Sequence, residues 1–181
     1  LMFLDLDNFK PLNDAHGHTA GDLLLIEVAK RLSRCIREMD TVARFGGDEF
    51  VVMISELESG RSESAASANL IAEKIRAALS QPYALKIKRN DAEETSLEYN
   101  CTASIGLALF DGREASQDDA LKLADMAMYQ AKEAGRNQVV LAAETLQTIG
   151  TTKAPPAKLM HLIWHKAYEC GNGVIDAQHR T

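Results

Sequence analysis

The chain has 181 residues, 46% apolar and 25% charged, a composition that fits one globular domain of about 150 residues with roughly 30 to spare. Twenty basic side chains against 26 acidic ones give a formal net charge of −6. No net positive field therefore draws the chain to nucleic acid or to an anionic membrane surface. The cysteines Cys35, Cys101 and Cys170 form no CxxC pair, which reads as reduced thiols in a cytoplasmic protein. The longest apolar runs, Leu23–Ile26 and Phe50–Ile54, fall far short of the ~18 residues that cross a bilayer. There is no signal-like start.

In chain order, Leu1–Leu6 reads as a buried strand ending in acids. Residues 8–22, rich in Asn, Gly, His and Asp with Pro11 as a breaker, read as a loop. Leu25, Val28, Ala29, Leu32, Ile36 and Met39 then follow helical spacing. Val42–Phe45 and Phe50–Ile54 flank Gly46-Gly47-Asp48-Glu49, a hairpin signal. A second amphipathic helix carries Ala68, Ile71, Ala72, Ile75, Ala78 and Leu79 and ends before Pro82. Lys86–Ser96 is polar and reads as a surface excursion. Tyr99, Cys101, Ala103, Ile105, Leu107 and Leu109 alternate as in a half-buried strand. Ser116 and Asp119 resemble a capping box before a helix with Leu121, Ala124, Met128 and Ala131, which Gly135 ends. Val139–Leu141 is the last strand. Strands alternating with helices indicate an α/β or α+β sheet over residues 1–142.

Composition then shifts. Residues 143–158, with Pro155-Pro156, read as a linker, and 159–181 as the start of something else. The chain opens on Leu1, mid-strand by its pattern, so both ends read as cuts.

Two acidic groups stand out. Asp5 and Asp7 end the first strand, and Asp48-Glu49 sit in the hairpin turn. Brought to one sheet edge, such carboxylates suit Mg²⁺, which takes hard oxygen ligands and keeps waters or substrate phosphates. Each acid taken alone reads better as a solvated turn or strand-end carboxylate than as a ligand.

Their combination carries more. Asp5-Leu6-Asp7-Asn8-Phe9-Lys10, Asn13-Asp14, Gly17-His18, Gly21-Asp22 and Arg44-Phe45-Gly46-Gly47-Asp48-Glu49-Phe50 occur in this order. Thr102-Ala103-Ser104-Ile105-Gly106, Ala124-Asp125-Met126-Ala127-Met128-Tyr129-Gln130-Ala131-Lys132 and Gly135-Arg136-Asn137 follow. Over residues 1–142 this closely resembles the GGDEF family of diguanylate cyclases. Several separated motifs agreeing at once are far more specific than a lone glycine motif.

The resemblance implies an α+β fold, a central mostly antiparallel sheet flanked by helices, the ferredoxin-like palm of nucleotidyl cyclases. It implies a homodimer that joins two GTP into cyclic di-GMP and releases two pyrophosphates, using Mg²⁺ or Mn²⁺. The metal ligands match Asp5, the backbone carbonyl of Leu6, and Asp48. Glu49 matches the position that assists deprotonation of the 3′-hydroxyl or completes the metal shell. Gly46 and Gly47 would let the turn approach the triphosphate. Phe9 lies in the nucleotide-binding motif, and Lys10, Lys132 and Arg136 match phosphate-binding positions. Asn13 and Asp22 match the guanine readers. Lys132 with Arg136 also reads as a solvated basic helix end, and Asn13 as a turn residue. Arg37-Glu38-Met39-Asp40 resembles the family's RxxD inhibitory product site, although that spacing also suits a helix-end salt bridge. Arg76 is a candidate second arginine for that site.

Family members carry a helix and a D-x-L-T-x-L-x-N-R segment before the first strand. The expectation here is a domain lacking that N-terminal helix. The alternatives are a non-catalytic GTP or cyclic di-GMP binding module, or a fragment inactive through truncation.

In the tail, His161 and His165 stand four apart, a spacing that puts both on one helix face, but with Leu162-Ile163-Trp164 between them they read better as part of an ordinary amphipathic or extended segment than as metal ligands. Trp164, Tyr168, Gly171, Ile175-Asp176 and Gln178-His179 resemble the opening of bacterial hemerythrins. That implies a di-iron, oxygen- or redox-sensing regulatory domain in the longer protein, with His179 its first iron ligand. The remaining ligands would lie beyond Thr181, so this chain completes no iron site.

Overall fold

Met2–Asp7 forms strand β1, and all six of its residues are buried. An apolar run without alternation needs cover on both faces, and β1 has it as the middle strand of a five-stranded sheet. The computed structural model describes residues 1–57, 60–87, 95–110 and 116–142. After β1 come α1 (Phe9–His16), α2 (His18–Cys35), β2 (Thr41–Gly46), β3 (Glu49–Met53) and α3 (Arg61–Leu79). They are followed by β4 (Tyr83–Ile87), β5 (Thr95–Tyr99), β6 (Thr102–Leu107), α4 (Gln117–Glu133) and β7 (Val139–Leu141). The sheet is ordered β2-β3-β1-β6-β7, and all its pairs are antiparallel except β6–β7, as the mostly antiparallel α+β expectation requires. β4 and β5 form a separate hairpin.

Side-chain alternation divides the core. Met2, Leu4 and Leu6 join Phe50, Val52, Ala103 and Ile105 with the buried faces of α2 and α3. Fully burying each of the large side chains contributes about 2 kcal/mol. Phe3 faces the other way, with Val51, Ala124 and Met128 under α4. Arg31 ties α2 to the end of α3. Its guanidinium donates to the carbonyls of Ala78, Gln81 and Pro82 and lies 3.6 Å from the Tyr83 ring centroid. Among the described residues no helix is long and apolar enough to cross a membrane.

Several expectations need correction. Residues 8–22 are not a loop. Asn8, left-handed at φ 63, starts α1, and Gly17 at φ 81 separates it from α2. Pro11 falls in the first turn of α1, where its missing N–H has no helical partner to lose. The first long helix stops at Cys35 rather than Met39 because Ile36 is extended. There the Asp40 carboxylate accepts from the Arg37 and Ser55 amides at 2.9 and 3.1 Å. The strand expected over Tyr99–Leu109 is broken near Cys101: Tyr99 pairs in β5 with Tyr83, and β6 starts at Thr102. Both ends of the expected Lys86–Ser96 excursion therefore belong to the β4–β5 hairpin. The linker over 143–158 and the tail with His161, His165 and His179 lie outside the described residues.

The α4 boundaries agree with expectation. The Ser116 hydroxyl accepts from the Asp119 amide at 3.1 Å. At the other end the Arg136 and Gly135 amides donate to Ala131 and Lys132 carbonyls at 2.9 and 3.4 Å, the paired bonds of a Schellman stop.

Between these caps α4 lies directly on β6. A Cβ at Gly106 would run into the Ala124 carbonyl and the Met128 amide. Both are backbone, so neither can rotate away. Gly106→Ala is expected to destabilise the protein by ~3 kcal/mol or more, the upper range of overpacking costs. Urea denaturation checks this; a cost below ~1 kcal/mol would show that α4 does not rest on this residue.

Candidate active site

The register places Asp5 opposite Glu49 on β3 and opposite Ser104 on β6. Directly opposed residues share a face, so Asp5 and Glu49 both point toward α4. Asp48 precedes β3 in the turn, and its carbonyl accepts from the Leu6 amide at 3.2 Å. From above, Lys132 in the last turn of α4 places its ammonium 2.7 Å from Asp5 Oδ2.

Asp5 is 7% exposed. Burial raises its pKa above the usual carboxylate value; Asp48 and Asp7 push the same way, while Lys132 opposes them. Glu49 is raised as well, first by burial and then by Asp5, Asp48 and Asp125, with Lys132 opposing. Asp125, one helical face above, is raised by burial. One ammonium thus faces a crowd of carboxylates, an arrangement that a cation would relieve.

Among the described residues no group of three or more His, Cys, Asp or Glu side chains is placed to hold a metal ion. Asp5, Asp48 and the Leu6 carbonyl offer two carboxylates and one neutral oxygen. That set fits Mg²⁺, which is commonly bound through one or two carboxylates plus substrate phosphates.

The turn bearing Asp48 is held from behind. Arg44 donates through Nε and Nη2 to the Gly47 carbonyl at 2.9 and 2.7 Å. Gly47 is left-handed at φ 51, a conformation glycine adopts without strain. No side chain at Gly46 or Gly47 fills the space above this turn.

At the β1–α1 junction, Phe9 and Asn13 on α1 pack against Gly21 on α2, where a Cβ would meet the Asn13 amide oxygen. That oxygen is buried without a hydrogen-bond partner among the described residues. Lys10, in the first turn of α1, and Asp22, one turn into α2, are exposed nearby. Arg136 is exposed just beyond α4 and left-handed at φ 65.

Other candidates lie elsewhere. Asp7 does not join the open cluster: its two oxygens already take Thr102, Ser104 and Asn137 donors. Arg37 and Asp40 sit at the opposite end of the β2–β3 hairpin from Asp48, about 17 Å of strand away. Arg37 is exposed, whereas Asp40 is buried and bonded to backbone. Arg76 pairs with Glu73 and Asn137 instead of turning toward Arg37.

The acid cluster beneath one lysine, behind a Gly-Gly turn, sits on a fold with known relatives. The family model for the diguanylate cyclase GGDEF domain matches residues 1–138. The chain belongs to the GGDEF family. It is 46% identical over 137 residues to the bifunctional diguanylate cyclase/cyclic di-GMP phosphodiesterase MucR of Pseudomonas aeruginosa, covering 76% of this chain and 18% of MucR. It is 37% identical over 151 residues to diguanylate cyclase A of Treponema denticola, covering 81% of this chain and 36% of that protein. The chain thus spans only a minor part of these curated relatives. The crystal structure of the GGDEF domain of PA1120 (YfiN or TpbB) from Pseudomonas aeruginosa superposes with a TM-score of 0.65. Its sequence is 38% identical, and the match covers 80% of this chain and 81% of that one.

Within this GGDEF domain, sequence reasoning missed Arg44 as the clamp on the turn and Asp125 as the fourth acid. Arg44 could have been found from its place three residues before Gly47. Asp125 could not, because only the docking of α4 brings it near Glu49.

Asp48→Asn removes one charge from the crowd. The metal- and nucleotide-free protein is expected to gain about 0.5 kcal/mol at pH 7, the scale of a partly solvated charge pair. Asp5 and Glu49 have raised folded pKa values, so their repulsion costs stability above those values and is relieved as pH falls through them. The gain should therefore shrink toward acid pH. Urea midpoints of both proteins at pH 7 and pH 4 check it; no gain at pH 7 contradicts the repulsion.

Proposed function

We propose that this chain is the catalytic domain of a diguanylate cyclase, condensing two GTP into cyclic di-GMP with release of two pyrophosphates. The observation that carries the reading is the meeting of Asp5, Asp48 and Glu49 with Lys132 at one end of the sheet, beside the start of α1. Acids alone would suit many sites. Acids with a cation poised to leave one of them suit a metal-bound triphosphate.

Mg²⁺ or Mn²⁺, held by Asp5, Asp48 and the Leu6 carbonyl, would neutralise triphosphate charge and acidify the attacking 3′-hydroxyl. Lys132, now paired with Asp5, would turn its ammonium onto a phosphate oxygen. Arg136 would add a planar fork and Lys10 a point charge. The first turn of α1 has no acidic residue, and its backbone N–H groups favour an anion. Asn13, with its unpartnered oxygen, and Asp22 would accept from guanine N1–H and N2–H₂, donors in a pattern that adenine lacks. Glu49, raised above the ordinary carboxylate value, is the base for the 3′-hydroxyl proton.

Each domain would hold one nucleotide, so two copies must face each other. Each 3′-oxygen then bonds to the α-phosphorus of the other nucleotide as the bond to the β-phosphate bridge breaks. Positioning and electrostatics would supply most of the rate. Arg37 is the exposed member of the proposed inhibitory site, with Asp40 shaping its turn. Free Cys35 and Cys101 and a GTP substrate fit a cytoplasmic enzyme. The resemblance of Trp164–His179 to the opening of hemerythrins points to an oxygen- or redox-sensing regulatory domain in the longer protein.

The full chain incubated with GTP and Mg²⁺ is expected to yield cyclic di-GMP and pyrophosphate in a 1:2 ratio. Asp48→Ala should lower turnover by ~10²-fold or more, the scale of losing one group that stabilises transition-state charge. GTP bound without product would favour the binding-module reading. GTP binding unchanged by Asp48→Ala, with no product from either protein, would contradict the enzyme.

A further inference from the structure

The second acid of β1 is buried as deeply as the first but does different work. Asp7 is 2% exposed. Its Oδ1 accepts from the Ser104 hydroxyl at 2.8 Å, and its Oδ2 accepts from the Thr102 hydroxyl at 2.6 Å. The third donor comes from far along the chain: the Asn137 backbone amide, 3.1 Å from Oδ2. Three neutral donors satisfy the carboxylate without a cation.

Asn137 belongs to an unusual turn. Gly135, Arg136 and Asn137 have φ of 117, 65 and 47. Two consecutive non-glycine residues in the left-handed region are costly, and such conformations persist only where the surroundings over-determine them. Here they do. The Asn137 side-chain oxygen accepts from Arg76 at 3.1 Å and from the Ser80 hydroxyl at 2.9 Å, both near the end of α3. Gln138 donates back to the Ala131 carbonyl at 2.8 Å. The turn is thus pinned between the middle strand, α3 and the last turn of α4.

We propose that Asp7 is a positioning residue: by accepting from the Asn137 amide it fixes the left-handed Arg136–Asn137 turn, and so aims Arg136 and the end of α4 at the triphosphate. This rests on the nucleotide-site reading above and extends it to a residue that would touch no substrate. The role needs an acceptor at Asp7, not a charge. An asparagine there can keep its oxygen on Asn137 and Thr102 while its NH₂ donates to the Ser104 hydroxyl.

The test measures binding of GTP and of guanosine to the full chain in Mg²⁺. Asp7→Ala is expected to weaken GTP by about tenfold or more, the loss of a hydrogen bond to a charged group, and to leave guanosine unchanged. Asp7→Asn should restore most of the GTP affinity. Asp7→Ala combined with Arg136→Ala should be little worse than Arg136→Ala alone. Should Asp7→Ala not fold, Asn137→Gly supplies a second arm. It keeps the amide and the left-handed backbone but loses the Arg76 and Ser80 anchor, and should weaken GTP several-fold with guanosine unaffected. Equal losses for GTP and guanosine, or an Asp7→Asn variant as weak as Asp7→Ala, overturn the positioning role. Loss of GTP affinity in Arg136→Ala but not in Asp7→Ala overturns it while the nucleotide site stands. If Arg136→Ala binds GTP like the parent protein, the positioning role falls; if the parent protein itself binds no GTP, the nucleotide-site reading falls with it.

Discussion

Everything at the active end of this domain depends on how closely α4 approaches the sheet. The contact is backbone to backbone over Gly106, with the Ala124 carbonyl and the Met128 amide occupying the space of a side chain. That seating carries Lys132 to within 2.7 Å of Asp5 and brings Asp125 near enough to act on Glu49. It also sets where the helix ends, and hence where Arg136 and Asn137 begin. Function here follows from a packing distance before it follows from any charge.

The electrostatics built on that seating are deliberately poor for stability. Asp5 and Glu49 are both pushed toward their neutral forms by burial and by neighbouring acids, and one lysine offsets only part of this. A domain selected for stability alone would not gather carboxylates under a helix end. A nearby acid, Asp7, adds its charge to the crowd around Asp5 but is itself satisfied by hydroxyls and an amide. Two aspartates two residues apart on one strand therefore divide into an open, strained group and a closed, structural one.

Much of this was legible in the sequence where the signal is local. The β1 run, the Gly46–Glu49 turn, the Ser116 cap and the Gly135 stop each follow from nearby residues. Local signals failed where glycines and polar residues hid short helices, as over residues 8–22. They failed again at Cys101, where one alternating pattern runs through two strands belonging to different sheets. The metal and nucleotide candidates came from motif resemblance, and the geometry brings Asp5, Asp48, Glu49 and Lys132 together. Asp7, Arg44 and Arg76 were misjudged or missed because their partners are set by tertiary contacts. Asp7 meets Asn137 across 130 positions, a pairing no spacing rule reaches.

The proposed nucleotide site requires Asp5 and Asp48 to share a divalent ion with the triphosphate while Lys132 is released to it. Equilibrium binding of GTP to the full chain, with and without Mg²⁺, tests this most directly. Shared coordination predicts at least ~10-fold tighter binding with Mg²⁺ and no Mg²⁺ dependence in Asp5→Ala. Equal affinity with and without Mg²⁺, or an undiminished Mg²⁺ effect in Asp5→Ala, would contradict it.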